Sequence, residues 1–169
     1  KSTRTLIHEA ITALNSISRT AEIFRAEMQR LAELLPEYSV VMEMYGVGKS
    51  IGPQLMAEIG DVRRFSHRGA LIAYAGVDPQ PSQSGKYDRN SNPISRKGSS
   101  SIRKSLYQVM VTLLRKAPAD EQVYQFIDRK RREGKPYFVY MTAGANKFLR
   151  IYYARVKEHL NDQDEPTMI

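Results

Sequence analysis

The chain has 169 residues, which suffices for one domain with its own core and an extension. Lysine and arginine outnumber aspartate and glutamate by 26 to 18, and proteins with a net charge of +8 most often bind nucleic acid. The absence of cysteine excludes disulfide scaffolds, zinc ribbons and thiol nucleophiles, and no apolar run reaches the ~20 residues that span a membrane.

The first predicted element is a long helix over residues 3 to 35, which Pro36 ends. Its inward positions recur in alternating steps of four and three, the heptad pattern of a coiled-coil seam. The seam positions are Thr3, Ile7, Ala10, Leu14, Ile17, Ala21, Phe24, Met28, Leu31 and Leu35. A lone helix would leave this stripe in water. The pattern therefore predicts either packing on the chain's own domain or a coiled coil with another chain or segment, and we expect a homo-oligomer through residues 3 to 35.

Residues 38 to 60 predict a helix, a tight turn and a second helix. Pro53 is compatible with the second helix only in its first turn. The stretch resembles a helix-hairpin-helix motif, in which glycines let a phosphate approach the backbone and the next helix points its amides at the anion. We therefore predict that Gly46, Gly48 and Lys49 contact the DNA backbone. A purely structural turn is the alternative.

A long polar loop follows a short helix. Gly60 is a typical residue to end the preceding helix, and Ser66 is a suitable N-cap for a helix over residues 67 to 75. Residues 76 to 90 are rich in proline, glycine and serine and contain no three consecutive apolar residues. Long loops of this kind in a compact domain are usually functional or disordered.

A basic cluster surrounds the loop and the helix after it. Either Ser99 or Ser100 is predicted to cap that helix, which runs to about residue 116. Residues 85 to 104 contain six lysine or arginine side chains and one acid, and a helix N-terminus adds its own attraction for phosphate. The predicted DNA contacts in this region are Lys86, Arg89, Arg96, Lys97 and Arg103.

The remaining predicted elements are helices over residues 119 to 133 and 137 to 160. The inward side of the last helix is predicted to carry Phe138, Met141, Ala145, Phe148, Leu149, Tyr152 and Val156. No strand is predicted apart from a short extended stretch at residues 76 to 79, and no side chains have the spacing of a metal site. The sequence thus predicts a mostly α fold. Its parts are a coiled-coil helix (1–36), a compact helical domain (37–160) and a frayed tail (161–169).

Four stretches occur together in an order that resembles a known family. They are GVGKSIGPQLMAEIGDVRRF, ALIAYAGVDPQPSQSGK, ISRKGSSSIRKSLY and AGANKFLRIYY. Over about residues 38 to 155, the chain is similar to the C-terminal domain of the DEDD-type insertion-sequence transposases, the serine-dependent, RNA-guided DNA recombinases. The combination of the four stretches is specific, although no single one is.

The resemblance implies a nucleophile in the polar loop. In that family a loop serine attacks a DNA phosphodiester and forms a phosphoserine link, which conserves the bond energy so that rejoining needs no ATP. The family's serine-glycine pair matches residues 84 and 85, so Ser84 is the implied nucleophile and Ser82 the alternative. The basic side chains of Arg89, Arg96 and Lys97 are predicted to stabilise the phosphorane charge. A solvated loop serine without a catalytic role is the plain alternative.

The resemblance also implies a longer protein. In the family an RNase-H-like domain with four metal-binding acids precedes a coiled coil, so Mg²⁺ is expected in that domain and no cofactor in residues 1 to 169. Because the chain begins at Lys1 and its heptad segment falls where the family's coiled coil lies, we expect a fragment that is inactive by itself. The implied partners are DNA and, in the full-length protein, a guide RNA. The implied location is the prokaryotic cytoplasm, without a membrane partner.

Two departures from the family pattern concern the loop. Asn92-Pro93 stands where many relatives have a glycine, and Gly98-Ser99 stands where they often have Gly-Asn. A non-catalytic helix-hairpin-helix module that binds DNA, or a piece that serves mainly for oligomerisation, is therefore kept as an alternative function.

Overall fold

A computed structural model describes residues 2–79 and 94–164. Within these ranges the chain forms seven α-helices and no strand. The helices are Thr3–Ala32 (α1), Tyr38–Met42 (α2), Ile51–Ile59 (α3), Arg68–Ala75 (α4), Ser100–Lys116 (α5), Gln122–Arg132 (α6) and Tyr137–Asp164 (α7). The predicted fold, a long helix followed by a compact helical domain, is confirmed.

Helix α7 is central to the domain. It contacts α2, α4, α5 and α6, and its side chains Phe148, Leu149 and Tyr152 are almost completely buried. Gly144 allows this close packing, because a Cβ at that position would overlap Ile127 of α6 and stand 2.8 Å from the sulfur of a methionine of α5. Burial of these apolar surfaces is the main stabilising contribution, so α7 sets the positions of the helices around it.

Helix ends lie close to their predicted positions, and the differences have local causes. The first helix ends at Ala32 instead of residue 35. Gly60, with a φ of 63°, ends α3 as predicted. The prediction of Ser66 as a cap is wrong: α4 begins one residue later than expected, and His67 caps it by accepting the Gly69 amide on Nδ1 at 3.1 Å.

The last helix is longer than predicted at its C-terminal end. Residues 161 to 164, expected in the frayed tail, continue α7, and residues 165 to 169 lie outside the described residues. Asp164 forms an ion pair with Arg63, which also binds Asp61 at 2.8 Å. The hydrogen bond from the Arg63 guanidinium lowers the pKa of the Asp61 carboxyl. These pairs connect the end of α7 to the short 3₁₀ turn after α3.

Helix α1 leaves its apolar stripe in water. Its main contact within the chain is with α3, and Ala32 is the one residue of the helix that is buried. The seam side chains Ile17 and Phe24 are 68% and 64% exposed. The alternative in which the whole stripe packs on the chain's own domain is therefore wrong.

Candidate nucleic-acid interface

The turn between α2 and α3 contains two glycines with different surroundings. Gly46 has a φ of 84°, and a Cβ there would stand 3.0 Å from Val109 of α5. Gly48 is exposed, and a Cβ there would have no neighbour within 4 Å. Position 46 therefore requires glycine, because its φ is positive and a side chain would crowd Val109. Gly48 instead leaves its backbone open to an approaching group.

Three consecutive exposed residues, Gly48, Lys49 and Ser50, lead into α3. The Ser50 side chain makes no cap bond, and the first intrahelical acceptor is the Gly48 carbonyl, which receives the Gly52 amide at 2.9 Å. Pro53 lies in the first turn of α3, as predicted, where its missing amide costs nothing. Open backbone, a helix start and a cation therefore occur together, a combination that suits a phosphate group.

The ends of the long polar loop are joined by backbone pairing. Pro79 and Ile94 form an isolated antiparallel bridge, and the Ser95 amide donates to the Asp78 carbonyl at 3.0 Å. We call residues 76–79 and 94–99 the loop stem. The stretch predicted to be extended is one arm of this stem.

Two glycines bring the arms of the loop stem into direct backbone contact. Gly76 has a φ of 68°, and a Cβ at Gly98 would stand 2.6 Å from the Gly76 nitrogen and overlap the carbonyl oxygen of Tyr74. Both obstacles are backbone atoms, which cannot rotate away as a side chain does. The stem can therefore close only with glycine at position 98.

Arg103 joins the loop stem to the helices on both sides of the loop. Its Nη1 donates to the carbonyl oxygens of Ala75, Gly98 and Ser99 at 3.1, 2.8 and 3.2 Å. Ala75 is the last residue of α4, where a cation is favourable, and Ser99 is the N-cap of α5. These bonds give the half-buried guanidinium a structural role, and its contact with DNA stays a prediction.

Ser99 connects the loop stem to the hairpin. Of the two candidate caps, Ser99 and Ser100, it is Ser99 that caps α5. Its hydroxyl accepts a hydrogen bond from the Ile102 amide at 3.2 Å. The same hydroxyl donates to Glu58 Oε2 of α3 at 3.0 Å. Because α3 begins at the hairpin turn, this bond fixes the two phosphate-suited regions relative to each other.

Two of the predicted cations are exposed on the loop stem. Arg96 and Lys97 both face solvent, and Arg96 has a φ of 53°, which is uncommon for a residue with a side chain. Its amide donates to the Gly76 carbonyl at 3.3 Å, so the pairing of the arms maintains this conformation. The remaining predicted site residues, Ser82, Ser84, Lys86 and Arg89, lie outside the described residues, and their roles stay predictions.

Residues 2–79 and 94–164 contain no group of three histidine, aspartate or glutamate side chains that could hold a metal ion. A Mg²⁺ ion thus has no fitting set of ligands in these ranges. In the same ranges, none of the helices combines the length and the apolar character needed to cross a membrane.

Three exposed aromatic residues were not recognised from the sequence. Phe138 was predicted to face the core, and this is wrong, since it is 72% exposed. Tyr137 beside it and Tyr107 of α5 are also exposed. Phe138 follows the spacing of the buried positions of α7, but its side of the first turn is exposed, whereas Tyr140 in the same turn is buried. The only indication in the sequence for Tyr107 and Tyr137 is that both are aromatic residues close to basic ones.

The chain is similar to a transposase family and to proteins named for gene inversion or for an insertion element. Residues 38–125 match the family described as the transposase IS116/IS110/IS902 family. The pilin gene-inverting proteins of Moraxella bovis and Moraxella lacunata are each 28% identical over 128 residues, covering 75% of this chain and 39% of the relative. The insertion element IS900 uncharacterized 42 kDa protein of Mycobacterium paratuberculosis is 28% identical over 121 residues, covering 71% of this chain and 29% of the relative. The chain therefore spans less than half the length of these relatives.

Proposed function

Because the chain belongs to the transposase IS116/IS110/IS902 family, we propose that it is the DNA-binding, serine-bearing part of an insertion-sequence transposase. The full-length protein acts in DNA transposition or recombination, which the name of the pilin gene-inverting relatives supports. The observation that carries the proposal is the loop stem. It holds both ends of the serine-containing segment beside the start of α5 and two exposed cations, Arg96 and Lys97.

The proposed chemistry is a transesterification. The Ser84 hydroxyl loses its proton and attacks the phosphorus of a DNA phosphodiester, a deoxyribose hydroxyl leaves, and a phosphoserine ester replaces the bond that is broken. Attack by a DNA hydroxyl then reverses the step and rejoins the strands without ATP. The charges of Arg96 and Lys97 support the proposal, since cations stabilise the negative charge that develops on the phosphorane.

Other components of the reaction are placed outside this chain. We propose that the metal-binding acids and their Mg²⁺ belong to the RNase-H-like domain that the family resemblance implies. A guide RNA is the proposed partner of the full-length protein, and the prokaryotic cytoplasm is its proposed location, because the chromosome is there.

The helix-hairpin-helix turn is the proposed contact with the DNA backbone. The open backbone at Gly48, the adjacent Lys49 and the start of α3 support this, because all three attract a phosphate without reading a base. The bond between Ser99 and Glu58 links the loop stem to α3, the helix that begins at the turn. DNA held at the turn therefore stays in a constant position relative to the stem.

The 169-residue chain is expected to bind duplex DNA weakly, with little sequence preference and with an affinity that falls steeply with salt. Gly48→Val together with Lys49→Glu blocks the open backbone and reverses a charge. The pair should weaken binding evenly across sequences and reduce the slope of log affinity against log salt by about 1. Fluorescence anisotropy with several duplexes between about 50 and 200 mM salt measures both effects.

Arg19→Glu is the matched control, because it also reverses one exposed charge but lies on α1, well before Ala32, the one buried residue of that helix. It should change the affinity much less. An affinity that does not respond to salt contradicts backbone binding, and an equal loss in the control contradicts the assignment to the turn.

Self-association through α1 is a second proposed function. The seam positions recur over more than four heptads, and Ile17 and Phe24 are mostly exposed although both are large and apolar. Such a stripe favours burial against a second helix of the same pattern. Pairing of α1 with its copy brings two DNA-binding domains into one particle, as recombination between two DNA segments requires.

Replacing Ile17 and Phe24 with Asp should convert an oligomer of the chain into monomers, because charges at seam positions cannot be buried without a partner. Sedimentation velocity over a range of protein concentrations measures the change. Ser16→Asp with Arg25→Asp is the control, since both residues are exposed on α1 but outside the seam. A wild-type chain that sediments as a monomer at high concentration contradicts self-association.

A further inference from the structure

An exposed aromatic surface lies where α5 and α7 meet. Tyr107 of α5 and Tyr137 of α7 are 44% and 39% exposed, and Phe138 is 72% exposed. The tyrosine rings lie edge to face at 6.5 Å between centroids, and their hydroxyl oxygens are 3.0 Å apart. The Phe138 ring lies edge to face with Tyr137 at 5.3 Å. We call these three residues the aromatic platform.

Tyr137, at the centre of the aromatic platform, has aromatic contacts on several sides. Tyr137 also packs against the buried Tyr140 at 5.4 Å, so its ring is held from below as well as from both sides. The hydrogen bond between the Tyr137 and Tyr107 hydroxyls, together with burial, raises the pKa of Tyr137 to about 12. The Tyr137 hydroxyl is therefore neutral at physiological pH and does not repel an anion.

The rim of the aromatic platform is positively charged. Lys104 is exposed one helical turn before Tyr107, and Lys135 is exposed two residues before Tyr137. The nearest acid along the chain, Glu133, is paired with Lys130 at 2.8 Å. Exposed rings with cations beside them are the surface that unpaired nucleic acid strands use, with bases stacked on the rings and phosphates on the cations.

We propose that the aromatic platform binds unpaired DNA through base stacking. This rests on the proposed function, because an unpaired strand arises when a recombinase opens the DNA that it cuts. Tyr107 is eight residues beyond Ser99 on α5, a distance of about 12 Å along the helix axis. A strand that leaves the loop stem reaches the platform within a few nucleotides.

Charge disfavours a second copy of the chain as the occupant. In a two-fold contact between platforms, each copy presents the same patch to the other. The cationic rims with Lys104 and Lys135 then face each other, and like charges across an interface are repulsive. The same rims attract a strand that carries one phosphate at every nucleotide.

The probe is a labelled oligo(dT) of about 15 nucleotides, with a DNA duplex and an oligo(rU) of equal length for comparison. Phe138→Ala in the 169-residue chain should lower the affinity for oligo(dT) about tenfold and leave duplex affinity unchanged. Phe138→Trp should retain or increase the affinity, because the larger ring still stacks. Leu34→Ala is the control, since Leu34 is also 72% exposed but has no aromatic neighbours in the platform. Circular dichroism verifies that each variant is folded.

The other outcomes overturn the proposal in distinct ways. An oligo(dT) affinity that Phe138→Ala leaves unchanged, while duplex binding persists, overturns the platform and leaves the proposed function intact. No binding to either DNA overturns both. Tighter binding of oligo(rU) with the same dependence on Phe138 assigns the surface to RNA instead. Loss of an oligomer in Phe138→Ala, seen by sedimentation, assigns it to a second copy of the chain.

Discussion

Ser84→Ala in the full-length transposase should abolish the covalent protein–DNA adduct while DNA binding remains nearly intact. The substitution removes the oxygen that we propose forms the phosphoserine ester, and one hydroxyl adds little to an interface dominated by charge. Denaturing gels of labelled DNA, incubated with the protein and the proposed guide RNA, measure the adduct, and anisotropy measures binding. The isolated chain should form no adduct, because the proposed metal-binding acids are elsewhere.

Ser82→Ala is the matched control, since Ser82 is two residues from Ser84 in the same loop. It should retain the adduct, and mass spectrometry of trapped material should place the phosphate on Ser84. An adduct on Ser82, or one that survives Ser84→Ala, contradicts the assignment. Metal-dependent cleavage by the wild type with no adduct in any variant favours hydrolysis by the acidic domain alone.

Gly98→Ala should lower the free energy of unfolding by about 1 to 3 kcal/mol. The added Cβ stands 2.6 Å from the Gly76 nitrogen and overlaps the Tyr74 carbonyl oxygen, so the arms of the loop stem must separate. Separation also weakens the bonds that Arg103 makes to both sides of the stem. Urea denaturation followed by circular dichroism measures the loss, and the full-length variant should form less adduct.

Gly48→Ala is the control for the loss of a glycine. A Cβ at position 48 has no neighbour within 4 Å, and its φ is outside the left-handed region that favours glycine. Its effect on the free energy of unfolding should therefore stay within about 1 kcal/mol. Equal destabilisation by the two substitutions contradicts the close approach of the stem arms.

The helices were predictable from the sequence because their signals are local. The heptad pattern of α1, the end of α3 at Gly60 and the cap of α5 at Ser99 each depend on residues within a turn or two. The predicted resemblance over residues 38 to 155 also agrees with the family match over residues 38–125. The error at α4 was also local. The predicted cap was Ser66, whereas the observed cap is the next residue, His67.

A turn between the helices α2 and α3 was also predictable, but the different surroundings of its two glycines were not. The sequence places Gly46 and Gly48 symmetrically around Val47. The structure separates them, because Gly46 packs on Val109 while Gly48 faces solvent. Val109 is more than sixty residues away along the chain. No local pattern contains this contact.

Long-range contacts likewise give Arg103 and the aromatic platform their surroundings. The basic cluster in the sequence marked Arg103 as a candidate DNA contact. It did not indicate that Arg103 donates to the carbonyl of Ala75, which lies on the other side of the loop. The spacing of α7 marked Phe138 as a core position, yet Phe138 is 72% exposed, while Tyr140 in the same turn is buried. Helical periodicity specifies which side chains lie on the same face of a helix. Whether another element covers that face depends on the packing of the whole chain, as the exposed seam of α1 also demonstrates.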